Sequence, residues 1–214
     1  MNREQALFEP FIIDLNPNIV FEFGSYDLTD GLYYRKLWPN ASINCFEPNP
    51  ELYKTILPLA RKNDIFLLNY AFSSRDGIMD FYPSVKLDGV PGPSGSLLKQ
   101  TDGHIESQKF FQTFPSLIKV TCRSIESFCK EYDITTIDFM HIDVEGVVPD
   151  VLDGFGKIRP KIIRAEVHDR DSLFHGAYPA RFIHAYIAKM GYKILFNSPN
   201  RSADTLYQYD GNNS

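Results

Sequence analysis

Acidic residues recur in this chain at the points where apolar runs stop. Val20-Phe21-Glu22-Phe23-Gly24 ends on a carboxylate and a glycine, and Glu47 follows Ile43-Asn44-Cys45-Phe46, 23 residues after Gly24. Phe139-Met140-His141-Ile142 leads into Asp143 and then Glu145, and Ile162-Ile163-Arg164-Ala165 leads into Glu166 and His168. An ionised carboxylate can accept from two hydroxyls at once, so Glu47 suits the ribose of a nucleotide-like ligand. Glu22 would put a carboxylate at the lip of a cleft, facing a ligand that carries hydrogen-bond donors or positive charge. Gly24 would let backbone approach that ligand with no Cβ in the way. Asp143, Glu145, Glu166 and His168 are groups able to remove a proton from a weakly acidic donor. Asp143 with Glu166 and His168 could instead hold a divalent cation, although no metal is expected. His141 reads as a satisfied core histidine and Asp169 as a solvated turn residue.

Such groups meet only if strands carry them to one edge. Val20 to Phe23, Ala41 to Phe46, Asp64 to Tyr70, Ile78 to Tyr82, Ile118 to Cys122, Ile134 to Asp143 and Ile158 to Val167 read as strands. Helices are expected at Glu4 to Asp14, from Thr29 to Leu37, and from Pro50 with Asn49 as N-cap. Others cover Arg123 to Tyr132, follow Pro149, and run from Tyr178 to Met190 with Phe182, Ile183, Tyr186 and Ile187 buried. Tyr192 to Phe196 and Thr205 to Tyr209 end the chain as a hairpin-like pair. This alternation predicts an α/β fold, mostly parallel with an antiparallel strand near one edge and helices on both faces. In such sheets, ligands sit at the carboxyl ends of the strands. Pro83 to His104, rich in Gly, Pro, Ser and Asp, reads as a lid or substrate-side loop. Phe110, Phe111 and Phe114 read as an aromatic patch packed into the core.

At 214 residues the chain is expected to be a single domain, 1–214, with residues 1–16 as an N-terminal helical segment. Such a chain buries enough surface to need neither disulfide nor structural metal. A net charge of −5 argues against nucleic acid as partner. The three cysteines, Cys45, Cys122 and Cys129, lack metal-ligand spacing and point to reduced thiols in the cytoplasm. Met1 to Asn16 has no long apolar run, so neither a signal peptide nor a membrane partner is expected.

Phe139-Met140-His141-Ile142-Asp143-Val144-Glu145-Gly146, followed by Val151-Leu152-Asp153-Gly154, resembles the hallmark segment of FkbM-type methyltransferases. Glu22-Phe23-Gly24-Ser25-Tyr26 resembles the family's first cofactor motif, and Phe46-Glu47-Pro48-Asn49-Pro50 its ribose-binding segment. Asn69-Tyr70-Ala71-Phe72-Ser73 with Gly77, and then Gly95-Ser96-Leu97, follow in the family's order, so the likeness spans Val20 to His168. It implies a Rossmann-like class I methyltransferase sheet. It also implies that S-adenosylmethionine is held by Glu22, Gly24, Ser25, Tyr26, Glu47, Pro48 and Asp143, with Asn69 and Ala71 near the adenine. The chemistry it implies is methylation of a hydroxyl on a sugar, glycan or other small molecule, with Asp143, Glu145, Glu166 or His168 as general base. Two positions depart from the pattern: Leu28 stands where a second glycine is usual, and Val148 where a second glutamate often follows Glu145-Gly146.

A dinucleotide-dependent oxidoreductase would also use Glu47. Its first turn, however, reads G-x-G-x-x-G, whereas Ser25 and Tyr26 follow Gly24 here. A methyltransferase-like domain without turnover is a further alternative. Neither the acceptor nor the oligomeric state can be read from these residues.

Overall fold

The structure, a computed structural model, describes residues 3–168, 173–198 and 202–211. In chain order the elements begin with α1 (Arg3–Ile12), β1 (Ile19–Phe23), α2 (Thr29–Leu37), β2 (Ser42–Phe46), α3 (Pro50–Lys62) and β3 (Phe66–Leu68). They continue with β4 (Ala71–Phe72), β5 (Gly77–Phe81), β6 (Val85–Lys86), α4 (Asp102–Gln108), β7 (Gln112–Thr113), β8 (Ile118–Arg123) and α5 (Ile125–Glu131). They close with β9 (Phe139–Ile142), α6 (Val148–Asp153), β10 (Ile162–His168), α7 (Ala180–Lys189), β11 (Tyr192–Asn197) and β12 (Ser202–Tyr209).

The main sheet has the order β11-β12-β10-β9-β1-β2-β3. β1, β2, β3, β9 and β10 pair in parallel, and β12 runs antiparallel to both of its neighbours. This is the expected α/β architecture, with its antiparallel strand next to one edge. Side chains alternate across β1: Phe21 and Phe23 join the apolar cluster under α5, α6 and α7, while Val20 joins Phe8, Tyr34 and Ile56 under α1, α2 and α3. Both faces are therefore covered. Asn49 caps α3 by accepting from the Glu51 N–H at 3.0 Å, and Pro50 opens the helix. No helix among the described residues is long and apolar enough to cross a membrane.

Several expected elements sit elsewhere. Ile78–Tyr82 and Ile118–Cys122 stay out of the main sheet: β5 and β8 pair antiparallel, with β4 on the other side of β8. The link from β4 to β5, Ser73 to Asp76, is too short for the crossover that a parallel neighbour requires. The Pro83–His104 stretch is not an unstructured loop, because β6 pairs with β7 inside a folded wall and α4 starts at Asp102 with Thr101 as its cap. Phe110 and Phe111 are 73% and 69% exposed, outside the turn that follows the seven-residue α4, and only Phe114 packs, against His104. On α7, Ile183 and Ile187 are buried as expected, but Phe182 is exposed and stacks on Tyr178.

A buried ion network joins the α2 side of the sheet. From β10, Arg164 donates to Asp30 and to the Tyr34 hydroxyl, each at 2.8 Å, and to Asp204 of β12 at 2.5 Å. Its guanidinium also lies 4.2 Å from the Phe8 ring centroid of α1. Removing this cation would leave buried carboxylates uncompensated. Arg164→Met should therefore cost about 3–5 kcal/mol in urea unfolding, and a loss below about 1 kcal/mol would show that the network does not hold these elements together.

Candidate active site

The loops that follow β1 and β9 touch through backbone. A Cβ on Gly24, whose φ is +86°, would fall 1.8 Å from the Asp143 carbonyl oxygen. The sequence suggested that Gly24 was bare for a ligand; the atom it makes room for is that carbonyl. The Gly24 and Ser25 amides both donate to the Phe46 carbonyl, at 3.0 and 3.2 Å, so the turn is also tied to the end of β2.

Glu47 stands at that end, 4% exposed. One carboxylate oxygen accepts from the Tyr26 N–H at 2.9 Å and the other from the Asn49 N–H at 2.8 Å. Burial pushes its pKa up to about 7 against the opposing effect of those two bonds. The carboxyl ends of β9 and β10 bring Asp143, Glu145 and Glu166 together, with oxygens all within 4.8 Å of one another. Burial, then the Glu166 charge, then the Glu145 charge hold the Asp143 carboxyl well above the usual range. Groups so close cannot all ionise freely, so Asp143 keeps its proton. The same three could coordinate a cation.

Both ends open into one cavity of about 290 Å³. Its lining includes Gly24, Tyr26, Glu47, Pro48, Ala71, Asp143, Glu145 and Glu166 from the sequence-derived set. Three other members of that set lie off it. Glu22 is not at the lip: it is 1% exposed and accepts from the Cys45 thiol at 3.0 Å. Strand alternation turns Phe21 and Phe23 to one face, so Glu22 must enter the other, where Gly31 of α2 covers it. The Ser25 hydroxyl is buried and donates to the Phe46 carbonyl. Asn69 acts from behind, its amide donating to the carbonyls of Glu47 at 2.7 Å and Pro48 at 3.0 Å. The His168 side chain, like Asp169, lies outside the described residues. His141 is buried as expected, yet neither of its ring nitrogens has a hydrogen-bond partner; burial and then Arg164 push its pKa down to about 4, so it is neutral.

Residues 22–194 match the methyltransferase FkbM domain. The chain belongs to the FkbM methyltransferase family. It is 31% identical over 175 residues to the 2-O-methyltransferase NoeI of Sinorhizobium fredii, an alignment covering 77% of this chain and 69% of NoeI. Its fold is similar to that of an FkbM methyltransferase from Methylobacillus flagellatus KT, with TM-score 0.53 and 13% identity. That match covers 91% of this chain and 44% of the other, so the chain spans less than half of that protein's length. It is also similar to a precorrin-6y C5,15-methyltransferase from Geobacter metallireducens GS-15, with TM-score 0.50, 10% identity and coverage of 94% and 86%.

The two departures from the FkbM pattern can now be located. Leu28, in place of the usual glycine, keeps a left-handed backbone at φ +68°, and its fully buried side chain offsets that strain. Val148 starts α6 inside the apolar core, where a glutamate would be an unpaired buried charge. Sequence reasoning did not find the rest of the lining. Leu52, Tyr70, Phe72 and Phe81 look like ordinary core residues, and of the Gly-Pro-rich segment Gly92, Pro93, Gly95, Ser96 and Leu97 reach the cavity. The Ser96 hydroxyl donates to the Glu145 carbonyl at 2.7 Å, tying that segment to the acidic cluster.

Folded Glu47 keeps its proton to about pH 7, while an unperturbed glutamate loses it near 4.5. Between those values the folded chain binds more protons than the unfolded one, so stability falls as pH rises, by about 3 kcal/mol at most. Glu47→Gln should remove that fall. Urea midpoints measured from pH 5 to 8 should converge at low pH and favour the variant at high pH, whereas parallel curves would refute the assignment.

Proposed function

We propose that this chain is an S-adenosylmethionine-dependent O-methyltransferase acting on a hydroxyl of a sugar, a glycan or another small molecule. The observation that carries the reading is the single cavity in which Glu47 and the Asp143, Glu145 and Glu166 carboxyls share walls. Each Glu47 oxygen accepts one backbone N–H and keeps a further lone pair for a ribose hydroxyl. Leu52, Tyr70, Ala71 and Phe72 offer the apolar and aromatic surface that suits a purine. The residues present therefore fit the cofactor. When bound, it supplies a methyl group made electrophilic by its sulfonium. Transfer to oxygen, rather than nitrogen or carbon, is supported by the relative named a 2-O-methyltransferase. Buried thiols at Cys45, Cys122 and Cys129 support a reducing, cytoplasmic setting.

The protein's own groups have two tasks. The walls orient the acceptor oxygen in line with the methyl carbon, which supplies much of the acceleration. The cluster takes the hydroxyl proton as the oxygen–carbon bond forms and the carbon–sulfur bond breaks. Asp143, already protonated, acts as a donor within the cluster, leaving Glu145 and Glu166 as the acceptors. Residues 83–104 serve as the acceptor-side wall, supported by the glycines and prolines that segment contributes to the cavity.

Calorimetry should give binding of S-adenosylmethionine and S-adenosylhomocysteine but not NAD. Binding of NAD alone would favour the oxidoreductase reading, and cofactor binding without turnover on any acceptor would favour the inactive domain. Glu166→Gln and Glu145→Gln, assayed separately, should each leave cofactor affinity intact, with the variant of the true base losing about 10²–10⁴-fold in kcat. EDTA should leave the rate unchanged. A loss restored by magnesium would reassign the cluster to a cation.

A further inference from the structure

Building on the saccharide reading, we infer that the acceptor sugar carries no phosphate or carboxylate near its reacting hydroxyl, so that methylation comes after the glycosyl transfer or hydrolysis that strips a phosphate-bearing carrier. The cavity's charge supports this. Among the described lining residues, Glu47, Asp143, Glu145 and Glu166 carry carboxyls, and none is lysine or arginine. Lys86 sets its ammonium 5.3 Å from the Tyr26 ring centroid, at the end of the cavity that Tyr26 shares with Glu47 through its N–H. The three other carboxyls crowd together within 4.8 Å, where Ser96 ties in the acceptor-side wall.

Ionised carboxylates only accept hydrogen bonds. A neutral polyol brings the donors they need. A phosphate or uronate brings more acceptor oxygens and a like charge into a partly desolvated cleft. It would repel the cluster and leave its lone pairs unsatisfied, which is how charged sites reject wrong partners. The positive sulfonium offsets part of the cluster's charge, and one further anion would undo that balance. The substrate class is thus a glycosidically linked or free neutral sugar, and the preceding reaction is one that releases a sugar from its activated, phosphorylated form.

The test uses methyl hexopyranosides as neutral acceptors, with the same hexoses as 1-phosphates and as uridine diphosphate esters. Methylation is read by the mass gain of the product. The neutral glycosides should exceed both anionic forms by about tenfold or more in kcat/KM, and Glu145→Gln should shrink that ratio by about tenfold. Equal or better turnover of a phosphorylated form would overturn the inference. A second measurement decides it whatever the turnover: the sugar phosphates are titrated into protein saturated with S-adenosylhomocysteine. Absence of binding is the expected result, and binding that neutral glycosides displace would overturn it. If no saccharide is methylated at all, the saccharide reading fails, and the titration still reports on the charge preference.

Discussion

The site depends on one backbone contact, the approach of Gly24 to the carbonyl of Asp143. No side chain fits between them. That contact joins the carboxyl ends of β1 and β9, while the bonds from the Gly24 and Ser25 amides to the Phe46 carbonyl join β1 to β2. Three neighbouring strands thus end at a common level, and the carboxylates beyond β2 and β9 open into one cavity. Each carboxylate is held by something other than its own loop: Glu47 by the amides of Tyr26 and Asn49, and its peptide by the Asn69 side chain.

One layer below the cavity, a polar row crosses the sheet. Cys45, Glu22, His141 and Arg164 are register partners on four adjacent strands and face α1 and α2. Such a row is costly to bury, and the chain offsets it differently at each position. Arg164 is ionised between Asp30 and Asp204. Burial and then the Asp30 charge hold the Glu22 carboxyl well above its ordinary range, so it stays protonated beside the Cys45 thiol. His141 is neutral and has no hydrogen-bond partner. We have no physical account of why a histidine occupies that position. The row also explains why Gly31 lacks a side chain, since a Cβ there would lie 2.8 Å from both the Glu22 carboxylate and the Cys45 sulfur.

The cavity itself is asymmetric in charge. Its Glu47 end combines one buried carboxyl with aromatic and aliphatic walls, and its other end combines three carboxyls with a wall of glycine, proline and serine. Crowding, rather than any single neighbour, keeps a proton on Asp143, so the acidic end can both donate and accept. That combination suits proton removal from a hydroxyl. Val148, buried where the FkbM pattern often has another glutamate, limits the cluster to those three among the described residues.

Local signals sufficed for the strand ends. Asn49 and Pro50 mark the start of α3 and so locate Glu47 at the tip of β2, and Ile142 followed by Asp143 marks the end of β9. The alternation of elements was likewise enough to predict the parallel sheet with its antiparallel β12, because short connections and right-handed crossovers leave few other arrangements. Tertiary structure alone decided which face of each strand the helices cover and which strands share the sheet. A period of two records that Glu22 opposes Phe21 and Phe23, but nothing local tells whether that opposite face meets solvent, ligand or α2. For the same reason Leu52, Tyr70, Phe72 and Phe81 pass for core residues in the sequence: an apolar side chain that lines a cavity and one that fills a core differ only in what the rest of the chain sets against them.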